Sequence, residues 1–231
     1  KECSVVSYAT WLDTQLYGDD LKFINADFVE FELGPRKILI GQNRGVGKGG
    51  HFWDGAYVLA EALVVSPPDA LRRNEACSVL ELGAGAGLTG IFVGLEHEST
   101  KVTLTDGDDG VLDLLRKNCH RNRVQARVAK LVWSVDEGDG NTQSEEAWHP
   151  SCKAGDDDLN EKFDVIIAAE AVAPIYDARA FVDTLRRHAH AKTDIRLVCK
   201  DGRWPDHASY FYEVLGEHFD FRSDDPVTKL K

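Results

Sequence analysis

A glycine-rich bend between an apolar strand and a helix is the feature that most narrows the folds open to this chain. Residues 77–82 (CSVLEL) predict a short buried strand, and residues 83–87 read GAGAG before an apolar helical segment begins. Glycines at such a bend let a ligand approach the backbone closely, where a Cβ would collide with it. The helix that follows presents free N–H groups and a partial positive charge at its amino end. The bend therefore predicts a ligand site at the end of a strand.

Short apolar runs alternate with helical stretches along the rest of the chain. The runs are 77–82, 101–105, 127–133, 163–169 and 194–199, and apolar residues recur at helical spacing in 54–65, 111–118, 178–189 and 207–218. Continuous apolar strands between helices are typical of a parallel sheet covered on both faces. We therefore predict an α/β fold with a doubly wound, mostly parallel sheet.

The first 50 residues predict an N-terminal extension that contains paired strands. Residues 27–33 alternate apolar and polar side chains, Gly34-Pro35 breaks the pattern, and 36–40 is apolar again, which is typical of a hairpin or a pair of edge strands. Residues 41–50 hold five glycines, but their lysine is followed by glycine rather than Ser or Thr, so they do not match a phosphate-binding loop. We expect a loop that covers another part of the fold, and we place the main domain at 51–231.

An acidic segment, residues 136–161, interrupts the alternation. It carries nine acidic residues against one lysine, so we predict a solvated insertion between two strands, with an acidic arm that docks a basic partner as the alternative. The whole chain has a net charge of −12, which disfavours a broad nucleic-acid-binding face. We therefore expect no nucleic acid as a partner.

The cysteines, apolar runs and histidines indicate the cellular compartment and whether a membrane or a metal is a partner. Five cysteines are scattered without a CxxC pair: Cys3, Cys77, Cys119, Cys152 and Cys199. This disfavours a disulfide framework and a structural zinc site, and with no leader pattern at the start it predicts the cytoplasm, with the nucleus as a second location. No apolar run reaches the ~18–20 residues of a membrane helix. The histidines show no metal-ligand spacing, so we expect neither a membrane partner nor a metal.

Two classes of ligand fit the glycine bend. Glycines at 85, 87 and 90 match the dinucleotide fingerprint, so a nicotinamide or flavin cofactor is one class. Acidic residues favour S-adenosylmethionine (SAM) instead, because Glu81 suits an ammonium or sulfonium and Asp106 can accept hydrogen bonds from both hydroxyls of a ribose. Trp133 ends the third run and can stack on a purine. The alternatives are a helix cap for Asp106 and a core tryptophan for Trp133.

At these residues the chain resembles the seven-strand protein-lysine methyltransferases, which modify elongation factors, Hsp70-type chaperones, an AAA ATPase and calmodulin. The matching stretches are Gly50-His51-Phe52-Trp53-Asp54, VLELGAGAGLTGI (79–91), VTLTDGDDGVLDLLRKN (102–118), LVW (131–133) and FDVIIAAEAV (163–172). The resemblance implies a class I, Rossmann-like fold with a seven-stranded sheet. It also implies SAM as the methyl donor, with S-adenosylhomocysteine (SAH) as the product.

The resemblance further implies the residues of the site. The candidate cofactor-binding residues are Trp53 near the methionine end, Glu81, Gly83 and Gly85 along the amino-acid part, Asp106 with Gly107 at the ribose, Trp133 by the adenine, and Ala169. The candidate catalytic residue is Glu170, which occupies the aspartate position of an Asp-x-x-Tyr or Asp-x-x-Phe signature. The aromatic position of that signature is Ala173, and Tyr176 is the nearest substitute. The alternative role for Glu170 is a cap of the next helix.

These observations predict a SAM-dependent protein-lysine N-methyltransferase that acts as a monomer. We expect a protein substrate such as an elongation factor, a chaperone or calmodulin. A net charge of −12 favours a basic elongation factor over an acidic target such as calmodulin, although local patches leave both open. The missing aromatic at Ala173 leaves a non-catalytic SAM-binding scaffold as an alternative. A small-molecule methyltransferase is a further one.

Overall fold

A computed structural model describes residues 5–7, 23, 25–73, 76–135, 159–199 and 204–222. The strands are β1 (Val5–Ser7), β2 (Phe28–Leu33), β3 (Arg36–Gly41), β4 (Ser78–Glu81), β5 (Lys101–Asp106), β6 (Arg127–Lys130), β7 (Phe163–Ala169) and β8 (Ala189–Val198). The helices are α1 (Asp54–Val65), α2 (Asp69–Arg72), α3 (Leu88–Glu96), α4 (Asp109–Arg121), α5 (Ala178–His188) and α6 (Pro205–Gly216), with a 3-10 segment at Arg44–Gly50. Most of the predicted acidic insertion, residues 136–158, lies outside the described residues.

The main sheet has five parallel strands in the order β6-β5-β4-β7-β8. Its central strands are buried on both faces, with Val79, Leu80, Ile166 and Ile167 fully inaccessible to solvent. This confirms the predicted doubly wound α/β fold, and five strands of the seven-stranded form lie in the part of the chain that the structure describes. The chain turns one way from β4 to β5 and β6, and the other way to β7 and β8. A crevice therefore opens at the carboxyl ends of β4 and β7, where such sheets bind ligands.

The predicted N-terminal hairpin is confirmed. Strands β2 and β3 pair antiparallel from Phe28↔Gly41 to Leu33↔Arg36, and Gly34 takes the turn with a φ of +55°. The alternation puts five apolar side chains on one face, all of them fully buried: Val29, Phe31, Leu33, Ile38 and Ile40. These side chains belong to the same hydrophobic core as residues of α1 and α3. The hairpin is thus packed into the main domain, and the boundary at residue 51 stays a prediction.

Two strand boundaries differ from the prediction. Strand β6 ends at Lys130, three residues before Trp133, because β5 ends at Asp106 and offers no further backbone to pair with. Strand β8 begins at Ala189, earlier than the apolar run at 194–199 indicated, because Ala189 pairs with Phe163 at the start of β7. The register then shifts, and the next pair is Val165↔Asp194. Among the described residues no helix has the length and apolar character to cross a bilayer.

Candidate active site

The glycine bend forms a backbone cradle between β4 and α3. Gly83, Gly85 and Gly87 all adopt positive φ angles, of +65°, +54° and +91°. A Cβ built on Gly83 would lie 3.1 Å from the Trp133 ring, and one built on Gly85 would lie 3.4 Å from the carbonyl oxygen of Gly49. Side chains at these positions would therefore fill the space above the bend as well as strain its backbone. The sequence prediction of a bare-backbone site agrees with this geometry.

Asp106 lies across the cradle at the end of β5. Its carboxylate accepts hydrogen bonds from the backbone N–H of Gly85 at 3.1 Å and of Asp108 at 3.2 Å. Burial raises the pKa of Asp106, and the backbone N–H groups of Asp108, Gly85 and Gly107 oppose that rise. The helix-cap role falls to Asp108, whose carboxylate accepts from the Val111 N–H at 3.0 Å. Asp106 is thereby held against the bend rather than used to begin α4.

Trp133 lies beside the cradle in a small aromatic group. Its ring contacts those of Phe181 and Tyr176, with centroids 4.8 Å and 5.1 Å away. Tyr176 closes a turn by donating its N–H to the carbonyl of Ala173 at 2.9 Å. Burial and the Asp106 carboxylate raise the pKa of the Tyr176 phenol. Trp133 is therefore a packed side chain at the edge of the crevice, and replacement of the missing aromatic by Tyr176 stays a prediction.

The 3-10 segment at residues 44–50, which we call the strap, covers the cradle from the other side. The carbonyl of Gly49 faces Gly85, and a Cβ on Gly49 would lie 2.7 Å from Val111 of α4. Trp53 follows the strap and donates its indole N–H to the carbonyl of Lys48 at 3.0 Å. The predicted covering loop is therefore present, and it places Trp53 at the start of α1.

Glu170 follows the last residue of β7, Ala169, and reaches α1. Its backbone has a φ of +57°, which is unusual for glutamate, and its N–H donates to the carbonyl of Val198 at 2.8 Å. A Cβ built on Gly55 would lie 2.5 Å from Oε1 of Glu170, so this side chain lies across the first turn of α1. The next helix, α5, is capped by Asp177 instead. The alternative of Glu170 as a helix cap is therefore wrong.

Glu81 lies beneath the cradle and not at its surface. Glu81 is only 2% exposed, and its Oε2 accepts a hydrogen bond from the Gly90 N–H at 3.0 Å. Burial raises the pKa of Glu81 from 4.5 to about 8, with a smaller contribution from Asp106, and the Gly90 and Thr89 hydrogen bonds oppose the rise. In this position Glu81 supports the first turn of α3. Direct contact of its carboxylate with a cofactor stays a prediction.

The state of Glu81 predicts how stability depends on pH. In the unfolded chain the Glu81 carboxyl loses its proton near pH 4.5, whereas in the folded chain it keeps the proton up to about pH 8. The free energy of unfolding therefore falls as pH rises between those values. Glu81→Gln cannot ionise, yet it keeps an oxygen for the Gly90 N–H. We expect the variant to melt close to the parent at pH 4.5 and progressively higher than the parent towards pH 8. Thermal melts across this range test it, and a constant difference would contradict it.

Asn118 of α4 ties the cradle to the hairpin, and the sequence analysis did not identify it. Asn118 is fully buried. Its side-chain nitrogen donates to the carbonyl oxygens of Ala86 at 2.8 Å and Gly41 at 3.0 Å, and its side-chain oxygen accepts from the Gly41 N–H at 2.9 Å. One turn later, the side chain of Asn122 accepts a hydrogen bond from the Leu39 N–H and donates one to the Leu39 carbonyl. A signal was present: position 118 falls on the apolar face of the helix, where a polar side chain requires a partner.

The residues of the crevice fit the predicted cofactor. The glycines at 83 and 85 leave the backbone of the bend bare where side chains would reach Trp133 and the Gly49 carbonyl, and a carboxylate stands at the end of the adjacent strand. Trp133 supplies an aromatic face at the same edge. This set combines an acceptor for hydroxyls with a stacking surface, as a nucleoside with an amino-acid tail requires.

Comparison with known proteins identifies the group to which this architecture belongs. A model of the lysine methyltransferase family matches residues 33–217. The chain belongs to the lysine methyltransferase family. It is 27% identical over 217 residues to the protein N-lysine methyltransferase METTL21A of Danio rerio, covering 88% of this chain and 87% of that protein. The Mus musculus protein of the same name is 30% identical over 179 residues, 74% of this chain and 69% of the relative.

A shorter match falls on part of another relative. The protein-lysine N-methyltransferase EFM6 of Saccharomyces cerevisiae is 35% identical over 99 residues, which are 38% of this chain and 40% of that protein. This lysine methyltransferase is therefore a SAM-dependent enzyme of protein-lysine methylation, and the predictions of enzyme class and cofactor are confirmed. The alternative of a nicotinamide or flavin cofactor is therefore dropped.

Proposed function

We propose that this protein-lysine methyltransferase receives its target amine at Glu170 and acts on a protein with a basic surface. The observation that carries the first part is the placement of the Glu170 carboxyl across the first turn of α1, beside the crevice that holds the cradle. The preference for a basic protein surface follows from the net charge of −12. The site residues themselves are proposals, since they are drawn from the crevice geometry and from the resemblance.

The chain's own residues account for most of what the reaction needs. When bound, SAM supplies an electrophilic methyl group on a positively charged sulfur. The amine must be neutral to attack, and a lysine has a reference pKa of ~10.4, so a channel that excludes water favours the reactive form. Glu170 accepts a hydrogen bond from the amine and fixes its direction. Alignment to ~3–3.5 Å can supply several kcal/mol of barrier reduction.

Asp106 and the cradle fix the other reactant. The Asp106 carboxylate at the end of β5 would accept hydrogen bonds from the ribose hydroxyls, and the bare backbone of 83–87 would border the amino-acid part. Trp133 would bound the base. With the nucleoside held in this way, orienting the amine of the incoming lysine would be left to Glu170.

A protein substrate fits the edge of the crevice. Four exposed apolar side chains flank Trp133 and the turn after β7: Val132, Val135, Ile175 and Tyr176, at 42, 45, 50 and 36% exposure. Exposed apolar groups beside a charged site suit a protein surface better than a small polar molecule. A net charge of −12 favours association with a basic partner, so a basic elongation factor or a chaperone in the cytoplasm is our candidate.

Glu170→Gln tests the catalytic role. The amide keeps the size of the side chain but weakens its acceptance of hydrogen bonds from the amine. We expect the rate of methyl transfer to fall by about 100-fold, while SAH affinity by calorimetry stays close to that of the parent. Asp177→Asn, at the cap of α5, is the matched control and should leave the rate unchanged. A full rate in Glu170→Gln would remove Glu170 from the mechanism.

A labelling experiment separates the enzyme from its alternatives. The protein is incubated with SAM carrying a labelled methyl group and a cell lysate, and proteins are resolved on a gel and analysed by mass spectrometry. A labelled lysine in a protein band is expected. Label in small molecules alone would indicate a small-molecule methyltransferase. No label in either fraction, despite SAH binding, would indicate the scaffold that the missing aromatic at Ala173 suggests.

A further inference from the structure

The backbone of Glu170 restricts where its side chain can go. Its φ of +57° is a conformation that L-residues other than Asn and Asp rarely adopt, and the N–H is fixed by its 2.8 Å hydrogen bond to Val198 of β8. The hydrogen bond and the positive φ together define the direction in which the side chain leaves the backbone. The neighbouring surface therefore decides its position.

That neighbouring surface is Gly55. A Cβ built there would lie 2.5 Å from Oε1, 2.8 Å from Cγ and 3.0 Å from the carboxyl carbon of Glu170, so most of the side chain rests on this glycine. Gly55 is buried in the first turn of α1, and its φ is not positive. Glycine is less favourable than alanine in a helix. Its backbone does not require glycine, whereas the space above it does.

We propose that Gly55 is a positioning residue whose missing side chain makes room for a glutamate at position 170. This inference rests on the proposed role of Glu170. Glutamate is one methylene longer than aspartate, the shorter residue with the same carboxyl group. The atoms closest to the missing Cβ are Oε1 and Cγ, so the extra length is accommodated where a methyl group would otherwise stand. The two positions, 115 residues apart in sequence, therefore share one space in the packed structure.

Gly55→Ala tests the inference with two readouts of opposite sign. Alanine favours the helix, so we expect a melting temperature equal to or above that of the parent. The displaced carboxyl should lower label transfer from SAM to lysate protein by about 10-fold or more. SAH affinity should stay unchanged. Gly216→Ala, at a helical glycine whose nearest neighbour to an added Cβ is Phe221 at 3.7 Å, is the control and should not alter the rate.

The double variant Gly55→Ala/Glu170→Asp decides between coupling and coincidence. The shorter aspartate relieves the contact, so Gly55→Ala should cost little or nothing in rate when introduced into Glu170→Asp, and should raise the melting temperature there. Equal loss of rate in both backgrounds would overturn the inference, as would a full rate in Gly55→Ala alone. If Gly55→Ala melts lower than the parent, failure of the aspartate to restore stability would also overturn it.

The proposed catalytic role of Glu170 is tested independently of Gly55. Glu170→Gln in the parent background reports on that role without any change at position 55. A slow Glu170→Gln with a fast Gly55→Ala defeats only the inference about Gly55. A fast Glu170→Gln defeats the catalytic role and with it the reason for expecting a rate effect.

Discussion

Replacing Asp106 with alanine is expected to weaken SAH binding by about 100-fold or more. A hydrogen bond to a charged acceptor contributes about 1.5–3 kcal/mol, and Asp106 is positioned to accept two from a ribose. Losing both corresponds to at least about 100-fold in the dissociation constant. The same carboxylate also holds the Gly85 N–H at 3.1 Å, so the cradle loses a support on the side that faces the cofactor.

Two further variants separate these contributions. Asp106→Asn keeps an oxygen for Gly85 but loses the charge, so a stable protein with weak SAH binding would identify direct contact with the ribose. Asp109→Asn is the matched control, because Asp109 is an exposed residue of the next turn paired with Lys130 at 2.9 Å and should leave affinity unchanged. Titration calorimetry measures all three. Parent-like binding by Asp106→Ala would refute the assignment of the ribose site.

Asn118→Ala should produce the largest loss of stability. It leaves the Ala86 carbonyl and both backbone groups of Gly41 without their partner in a buried site. An unsatisfied buried group costs about 1–3 kcal/mol, so we expect a loss of about 3 kcal/mol or more. For a chain of this size the melting temperature should fall by about 6–12 °C. SAH affinity should fall by about 10-fold as well, because the cradle is no longer tied at Ala86.

Asn122→Ala supplies the control for Asn118. Asn122 makes similar hydrogen bonds to Leu39 on the same strand, one helical turn away, but it does not contact the cradle. We expect it to lower the melting temperature while leaving SAH affinity unchanged. If both variants weaken SAH binding to the same extent, the tie at Ala86 is a structural contact only, and our account of Asn118 fails.

The sequence predicted the parts of this molecule that local patterns determine. The hairpin, the order of strand and helix, and the ligand site at the glycine bend follow from periodicity and from glycine spacing. The sequence placed Asp106 at the end of β5 but offered it as the cap of α4, a role that the structure gives to Asp108 two residues later. Patterns within about 20 residues carry such information well.

Contacts between distant residues could not be predicted in the same way. Asn118 and Gly41 are 77 residues apart, and no local pattern states that one holds the other. The contact of Gly55 with Glu170 depends on the placement of α1 over the end of β7. The burial of Glu81 depends on α3 lying above it, so no local pattern showed that this residue also supports the first turn of a helix.

The tie made by Asn118 also sets an order of events during synthesis. Its three backbone partners belong to residues 41 and 86, so the hydrogen bonds that join the bend to the end of the hairpin form only once α4 is in place. A chain emerging from the ribosome delivers these segments in sequence. This polar tie therefore cannot form until α4 has left the exit tunnel, whereas the hairpin and α3, which share one hydrophobic core, have emerged before then.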